Sequence, residues 1–178
     1  MRAIFIDRDG VLNRLILRDG GWFSPRFVEE FHITDDAVAA LSDFRHHDFQ
    51  IFVITNQPDI SRSLLQPETL LKFHSVLDEL LGPIEFLVCP HTAEMNCDCR
   101  KPKTGLIIDA CSRYKVDIST SWLIGDQASD IIAGRDAGLK TVLIHSQATL
   151  ASRQKYPYIK SDYESLSLAE ASRCILSN

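Results

Sequence analysis

The sequence predicts an α/β fold built on a doubly wound parallel sheet. Short apolar runs rich in β-branched residues alternate with longer segments of helical periodicity along the 178 residues. Continuous apolar strands separated by helices are typical of parallel sheets that helices cover on both faces. Several of these runs end in acidic, hydroxyl or amide side chains. Because open sheets of this class hold ligands beyond the carboxyl ends of their strands, we expect a functional site at that edge.

The elements alternate regularly, which predicts a Rossmann-like arrangement. Strands are predicted at residues 2–6, 50–54, 84–88, 121–124 and 140–144, with residues 158–160 as a candidate for a short further strand. Helices are predicted at residues 35–47, 67–81, 105–114, 128–137 and 167–176. Pro67 near one helix start and Gly138 after another helix end match the usual preferences at helix termini. Loops at residues 14–33, 57–66 and 89–104 are expected at one edge of the sheet, the first as a loop or loose hairpin.

Length and composition restrict the function. The length and the hydrophobic content of 45% predict one domain over residues 1–178 with a full core. The formal net charge of −5 argues against nonspecific binding of nucleic acid. No apolar run reaches the length of a membrane span, and the chain enters a strand at once, so we expect a cytoplasmic protein without a secretory signal. The five cysteines, an odd number, argue against a disulfide framework. We expect a monomer that binds a small molecule.

The first candidate site lies at residues 7–10, Asp-Arg-Asp-Gly, directly after the first predicted strand. Asp7 and Asp9 are one residue apart, and Gly10 frees the turn that follows. Two carboxylates in one small site suit a nucleophile and a proton carrier. The alternative interpretation of this segment alone is an ordinary Asp/Gly turn after a strand.

Two further strands end in polar residues. Thr55, Asn56 and Gln57 follow the second strand, where a hydroxyl and the next backbone N–H groups can hold a phosphate oxygen; a polar turn is the alternative. Asp126 and Asp130 span a strand end and a helix start. Hard oxygen ligands and a phosphate substrate indicate magnesium there. The role of Asp130 stays open, because acidic residues are favoured at helix N-termini in any case.

Three thiols and an imidazole crowd residues 89–99. Four nitrogen and sulfur ligands with no open position are typical of a structural zinc site. We expect the metal to fix this polar loop and the residues that follow it, whereas a chance cluster of buried thiols is the alternative. The predicted zinc ligands are Cys89, His91, Cys97 and Cys99.

A basic segment follows the zinc loop directly. Lys101 is a candidate for neutralising a transferring phosphoryl group, and the planar fork of Arg100 is suited to a phosphate or carboxylate of the substrate. A solvated basic patch is the alternative, and we prefer that interpretation for Lys103.

In this order, the four segments resemble the motifs of the haloacid dehalogenase superfamily of phosphatases. The matching segments are Asp-Arg-Asp-Gly at 7–10, Thr-Asn-Gln at 55–57, Arg-Lys-Pro at 100–102 and Gly-Asp-x-x-x-Asp at 125–130. The resemblance covers residues 2 to about 145. The Cys-x-His and Cys-x-Cys pairs before Arg-Lys-Pro narrow it to a zinc-loop branch that includes heptose bisphosphate and histidinol-phosphate phosphatases.

The resemblance implies roles for the individual residues. Asp7 would be the nucleophile that forms an aspartyl-phosphate, and Asp9 would be the acid and base. Magnesium would be held by the Asp7 carboxylate, the Asp9 backbone carbonyl and Asp126, while Thr55 and Lys101 would steady the phosphoryl oxygens. Because Asp9 must carry a proton when Asp7 attacks, we expect burial and close like charges to raise the pKa of Asp9.

Substrate binding would involve Asn56, Gln57, Arg62 and Arg100. The intervals between the motifs have no room for a cap domain, so we expect a capless enzyme with an open site. The expected reaction is removal of the 7-phosphate from D-glycero-D-manno-heptose 1,7-bisphosphate. Histidinol phosphate or another small sugar phosphate is an alternative substrate. A remote alternative function is that of a non-catalytic binding module. Gln127 stands where the resemblance leads us to expect Lys or Arg, so one phosphate contact is missing or supplied by Arg62.

Overall fold

The computed structural model describes the backbone of residues 1–178 and every side chain except those of residues 150 and 151. Six parallel strands form the main sheet, and a separate antiparallel hairpin projects from the chain after the first strand. The strands of the main sheet are β1 (Arg2–Ile6), β4 (Phe49–Asn56), β5 (Glu85–Cys89), β6 (Trp122–Gly125), β7 (Lys140–Ile144) and β8 (Tyr163–Ser165). The hairpin consists of β2 (Ile16–Arg18) and β3 (Gly21–Phe23).

The strand order β5-β4-β1-β6-β7-β8 places the first strand at the centre of the sheet. After β1 the chain builds outward through β4 to β5, then crosses back and adds β6 on the other side of β1. The register pairs Ile6 of β1 with Val53 of β4 and with Ile124 of β6. The topological switch point therefore lies beside the carboxyl end of β1, which is where sheets of this class bind ligands.

Helices cover both faces of the sheet. The helices are α1 (Ala37–His46), α2 (Pro58–Ser61), α3 (Pro67–Leu81), α4 (Gly105–Tyr114), α5 (Ala128–Asp136), α6 (Thr149–Lys155) and α7 (Leu168–Leu176). One face packs against α1, α3 and α7, where Phe44 and Phe73 meet Ile4 and Ile6 of the central strand. The other face packs against α4 and α5 around Phe5. Alternation along β1 sends successive side chains to these two cores, so its apolar run is buried on both sides.

Most predicted boundaries agree with the structure. Strands 2–6 and 140–144 and helices 67–81 and 105–114 match their predicted ends, and the other predicted elements shift by two residues or fewer at each end. The strand predicted at residues 158–160 is wrong, because the last strand is β8, in which Tyr163 pairs with Val142. Tyr158 is 92% exposed, so its segment buries no face. The helix α6 escaped prediction because its seven residues, TLASRQK, carry no repeating apolar stripe.

The loops at the carboxyl edge carry small elements of their own. The loose hairpin predicted within residues 14–33 is confirmed as β2 and β3, followed by a 3-10 turn at Val28–Glu30. Residues 57–66 contain α2, and residues 89–104 contain a 3-10 turn at Ala93–Met95. These segments leave the edge of the sheet without an additional folded layer among the described residues, as the capless prediction requires. None of the described helices combines the length and the apolar character that a membrane crossing demands.

Candidate active site

Adjacent strand ends bring the acidic and hydroxyl residues of three motifs together. Asp7 follows β1, Thr55 lies at the end of β4, and Asp126 follows β6. The backbone N–H of Asp7 donates to the carbonyl of Ile124 at 2.9 Å, which continues the ladder between β1 and β6 past the last strand residue. All three side chains are buried. The prediction that these motifs share one crevice is therefore confirmed.

Lys101 is the central cation of this cluster. Its Nζ donates to Asp7 Oδ1 at 2.7 Å and to the carbonyl of Ile54 at 2.8 Å, and it lies 2.6 Å from Asp130 Oδ1. The Lys101 side chain is only 3% exposed. Burial disfavours its charged form, but the charges of Asp130 and Asp7 outweigh this effect and raise the pKa of Lys101. Lys101 therefore stays protonated and fixes the orientation of both carboxylates.

Asp126 has a free oxygen inside the site. Its Oδ2 accepts a hydrogen bond from Ser146 Oγ, whereas Oδ1 is buried and has no hydrogen-bond partner in the described structure. Ligand oxygens of Asp7, Asp126 and Asp130 all lie within 4.8 Å of one another. An unpartnered buried carboxylate oxygen beside two further carboxylates fits a hard divalent cation such as magnesium.

The charges of the cluster are not balanced by the protein alone. Burial, together with the nearby charges of Asp130 and Asp9, raises the pKa of Asp7 to about 7 despite the opposing effect of Lys101. Burial and the charges of Asp7 and Asp130 likewise raise the pKa of Asp126 well above its usual range. A cation bound between these carboxylates would favour their ionised forms, which strengthens the fit.

Gly10 allows the turn after β1 to approach Asp126. Its backbone has a φ of +91°, and a Cβ at this position would lie 2.2 Å from Asp126 Oδ2. A positive φ is unfavourable for residues with a side chain, and the space is already occupied by the carboxylate. The glycine of the first motif is therefore required by both conformation and contact.

The expected rise in the pKa of Asp9 is wrong for this structure. Burial raises its pKa, but the charge of Arg8 and hydrogen bonds from Asn13, Gln57 and Arg8 outweigh burial and lower it. Arg8 Nη2 lies 2.9 Å from Asp9 Oδ2, Asn13 Nδ2 donates to Oδ1 at 2.9 Å, and Gln57 Nε2 donates to Oδ2 at 2.6 Å. The expected rise took account of the nearby carboxylates but not of Arg8, which stands between Asp7 and Asp9 in the sequence.

The amide side chains of the second motif form hydrogen bonds within the protein. Gln57 is buried, and its Nε2 also donates to Thr55 Oγ1 at 2.8 Å, so it links Thr55 to Asp9. Asn56 Oδ1 accepts from the backbone N–H of Lys101, and its Nδ2 donates to the carbonyl of the same residue, both at 3.1 Å. Asn56 therefore anchors the third motif to the end of β4.

The predicted zinc ligands converge in the loop after β5. Neighbouring ligand atoms are separated by 3.3 to 3.7 Å, and all four lie within 4.8 Å of one another. Ligands on a tetrahedral zinc ion, with bonds of about 2.0–2.3 Å, are roughly 3.3–3.8 Å apart. The donor set and its spacing therefore fit the metal. The four residues are Cys89, His91, Cys97 and Cys99.

The basic residues near this loop divide into two groups. Arg100 Nη1 donates to the carbonyl of His91 at 3.1 Å, and Arg62, half exposed on α2, lies 3.4 Å from Asp59. Hydrogen bonds from its own backbone and from Thr92 lower the pKa of Glu94, and the charges of Arg62 and Arg100 add to this effect. Ser61 Oγ donates to the carbonyl of Pro90 at 2.7 Å, so the end of α2 next to Arg62 lies against the loop that leads to Arg100. Lys103 instead bonds to the loop residues Asn96 and Asp98.

Other predicted residues take positions at the start of α5. Asp130 Oδ2 accepts from the backbone N–H of Gln127 at 3.0 Å, while its other oxygen faces Lys101. Asp130 therefore caps the helix, as the structural interpretation predicts, and also pairs with Lys101, while its role toward a metal stays a prediction. The Gln127 side chain is exposed, so the position at which a Lys or Arg was expected lies at the protein surface.

Sequence analysis missed three residues of the site. Arg8 and Asn13 bind the Asp9 carboxylate, and Ser146 binds Asp126. Alternation along β1 could have revealed Arg8, because it lies on the same face as Ile4 and Ile6 and must point into a core. Ser146 had no local signal, since only the folding of the segment after β7 brings it to Asp126.

Comparisons with known proteins agree with this geometry. The HAD-hydrolase-like family model matches residues 98–171. The D-glycero-beta-D-manno-heptose-1,7-bisphosphate 7-phosphatase of Pasteurella multocida is 32% identical over 155 residues, covering 80% of this chain and 81% of the relative. The enzyme of the same name from Helicobacter pylori strain ATCC 700392 / 26695 is 33% identical over 175 residues, covering 94% and 96%.

A solved structure of similar shape covers the whole chain. The D,D-heptose 1,7-bisphosphate phosphatase of B. bronchiseptica, crystallised with magnesium and phosphate, superposes with a TM-score of 0.86 at 25% identity. The similarity covers 99% of each chain. The observed six-stranded α/β architecture is therefore shared over its full extent.

Proposed function

Because the chain belongs to the family of HAD-like heptose 1,7-bisphosphate 7-phosphatases, we propose that it hydrolyses the 7-phosphate of D-glycero-D-manno-heptose 1,7-bisphosphate. The observation that carries the proposal is the buried cluster at the ends of β1 and β6. There, Lys101 holds Asp7 at 2.7 Å beside the unpartnered oxygen of Asp126. A nucleophile fixed next to a cation and a free metal-binding oxygen meets the requirements of phosphoryl transfer.

In the first proposed step, an oxygen of Asp7 attacks phosphorus in line with the leaving group. The bond between phosphorus and the sugar oxygen breaks, and Asp9 gives a proton to that oxygen as the alcohol departs. In the second step, Asp9 takes a proton from water as the water oxygen attacks phosphorus. The bond between phosphorus and the Asp7 oxygen then breaks, and inorganic phosphate leaves. Lys101 and Thr55 steady the phosphoryl oxygens in both steps.

The state of Asp9 in the free protein suits the second step directly. Its lowered pKa keeps it ionised, which is the form that accepts a proton from water. For the first step it needs a proton, and a bound phosphate dianion would favour proton uptake by adding negative charge close to the carboxylate. Substrate binding and loading of the acid are therefore coupled in this proposal.

Magnesium would be held by the carboxylates of Asp7 and Asp126 and by the backbone carbonyl of Asp9. When bound, it supplies positive charge that reduces the repulsion between the substrate phosphate and the carboxylate nucleophile. Asp130 supports this arrangement through Lys101, since it lies 2.6 Å from the ammonium group.

We propose a structural zinc ion for the loop after β5, where four protein ligands leave no position for a catalytic water. The loop carbonyl of His91 accepts from Arg100, so an ordered loop orients that guanidinium. Arg100 and Arg62 are our candidates for the second phosphate of the substrate. Asn56 and Gln57 border the substrate but act chiefly through their bonds to Lys101, Thr55 and Asp9.

Steady-state turnover on heptose 1,7-bisphosphate, beside histidinol phosphate, tests the proposal. We expect release of one phosphate per heptose, dependence on Mg²⁺, and a higher kcat/KM for the heptose ester. Asp7→Asn should abolish turnover, while Asp48→Asn, at an exposed position after α1, should leave it unchanged. A higher kcat/KM for histidinol phosphate, or full activity of Asp7→Asn, would contradict the proposal.

We also propose that residues 1–178 act as one domain and as a monomer in the cytoplasm. Light scattering coupled to size-exclusion chromatography should therefore give the mass of a single chain. A dimer mass at micromolar concentration would contradict the monomer.

A further inference from the structure

Arg8 is the largest side chain that is fully buried in the described structure. It stands between the two acids of the first motif, and strand alternation sends it to the opposite side of the backbone from Asp7. Ile4 and Ile6 precede it on that side and belong to the core beneath α1 and α3. A guanidinium thus lies at a position where the pattern of β1 would place another aliphatic residue.

Two stacked aromatic rings lie beside this guanidinium. Arg8 Cζ lies 5.5 Å from the ring centroid of Phe73 and 5.8 Å from that of Phe31, and the two rings stack on each other at 4.4 Å. His74 contributes no charge here, because burial and then the charge of Arg8 lower its pKa to about 4. Two stacked phenyl rings and a neutral imidazole supply no counter-charge, so the guanidinium depends on its carboxylate partner for compensation.

The charged edge of Arg8 faces Asp9 alone. Its Nε donates to Asp9 Oδ1 at 3.1 Å, and its Nη2 lies 3.0 Å from Oδ1 and 2.9 Å from Oδ2. Asn13 and Gln57 complete the set with one bond to each oxygen. The Asp9 carboxylate is thus held by Arg8 from the side of the core and by one further hydrogen bond on each oxygen. Only 8% of the Asp9 side chain remains exposed.

Stability alone is a weak reason for such a pair. Removing two charges from water costs several kcal/mol per ion, and apolar replacements of buried pairs are often neutral or stabilising. The position already lies in an apolar core that could accept Met. What an apolar residue could not provide is a fixed direction for Asp9, whose backbone lies in the glycine-containing turn after β1.

We propose that Arg8 is a positioning residue that aims the Asp9 carboxylate at the oxygen of the departing alcohol. This inference rests on the proposed phosphatase function and adds a residue to it. Arg8 touches neither substrate nor metal, and acts by holding Asp9 from below. Its loss should therefore weaken proton donation to the leaving group more than any other part of the reaction.

Leaving groups of different basicity provide the test. An alkyl phosphate such as the heptose ester needs the proton, because an alkoxide is a poor leaving group. The p-nitrophenyl ester needs it little, since nitrophenolate departs unaided. In Arg8→Met we expect kcat/KM to fall about 100-fold for the heptose ester and less than about 5-fold for p-nitrophenyl phosphate, within the range of general acid catalysis. Arg8→Lys, which keeps the charge without the fork, should fall between wild type and Arg8→Met.

The ratio of the two kcat/KM values within one preparation is the decisive quantity. A partly unfolded variant loses both activities equally, so the ratio is independent of the folded fraction. Arg14→Met, which removes a surface arginine paired with the exposed Asp35, should leave the ratio unchanged. An Arg8→Met ratio equal to that of wild type overturns the proposal while the phosphatase assignment stands. Failure of the wild type to hydrolyse either ester overturns both.

Discussion

Replacing Lys101 by Met would leave Asp7, Asp126 and Asp130 in a buried space without their cation. Lys101 lies within 2.7 Å of two of these carboxylates, and all three are less than 10% exposed. Removing one partner of a buried ion pair costs about 3–5 kcal/mol. We therefore expect the free energy of unfolding at pH 8, without magnesium, to fall by that amount.

The loss should shrink as the pH falls. Without Lys101, the folded variant relieves the repulsion by holding about one extra proton already at pH 8. Asp7 of the wild type takes up its proton only as the pH falls through its pKa of about 7, and the carboxylates of the unfolded chain remain ionised above pH 6. A state that binds one extra proton gains about 1.4 kcal/mol for each pH unit of acidification. Because Asp7 of the wild type also gains about 1.4 kcal/mol in this range, the deficit of Lys101→Met should decrease by about 1–1.5 kcal/mol between pH 8 and pH 6.

Urea denaturation of the variant and the wild type at the two pH values measures this effect. Lys103→Met is the matched control, because Lys103 lies two residues away and pairs with the exposed Asp98. The control should lose less than about 1 kcal/mol at either pH. Adding Asp130→Asn to Lys101→Met should restore part of the loss by removing one of the three charges. A deficit that is the same at both pH values, or a control that loses as much, would refute this account of the cluster.

Three other predictions concern separate parts of the molecule. Burial lowers the pKa of His74 from 6.5 to about 4, so the unfolded chain binds a proton there before the folded chain does. Between pH 7 and pH 4 the free energy of unfolding, measured by denaturation, should therefore fall by about 3 kcal/mol more in the wild type than in His74→Phe. One zinc ion per chain is expected by atomic emission; Cys97→Ser should lose it and melt at least about 10 °C lower, whereas Cys111→Ser should retain it. Gly10→Ala should lose more than about 100-fold in kcat/KM because a Cβ meets a carboxylate at 2.2 Å, while Gly20→Ala, also at positive φ but with no atom within 4 Å, should keep its activity.

The convergence of the motifs could be predicted because it follows from topology. Parallel strands end at one edge, so residues that follow β1, β4 and β6 must meet there once the strands are identified. The convergence of the four Cys and His side chains after β5 could likewise be predicted, since they lie in one short loop and need no long-range information to meet. Both inferences rest on spacing, which a sequence displays directly.

The charge state of Asp9 could not be obtained in the same way. It depends on which side of the backbone Arg8 takes and on the distance to Gln57, which is 48 residues further along the chain. Ser146 and the free oxygen of Asp126 depend on the path of the segment after β7. Apart from the side that Arg8 takes, which the alternation of β1 indicates, these are properties of packing between elements, and no local pattern encodes them.

The position of β1 has a consequence for synthesis on the ribosome. The strand that precedes Asp7 is translated before the other five strands of the sheet, yet one of its two neighbours is Trp122–Gly125, which is translated long after it. A nascent chain lacking that neighbour exposes one long edge of its central strand and carries Asp7 without Asp126. The proposed active site is therefore complete only after Asp126 has been translated, and chains released before that point should be inert towards phosphate esters and prone to associate through the open edge.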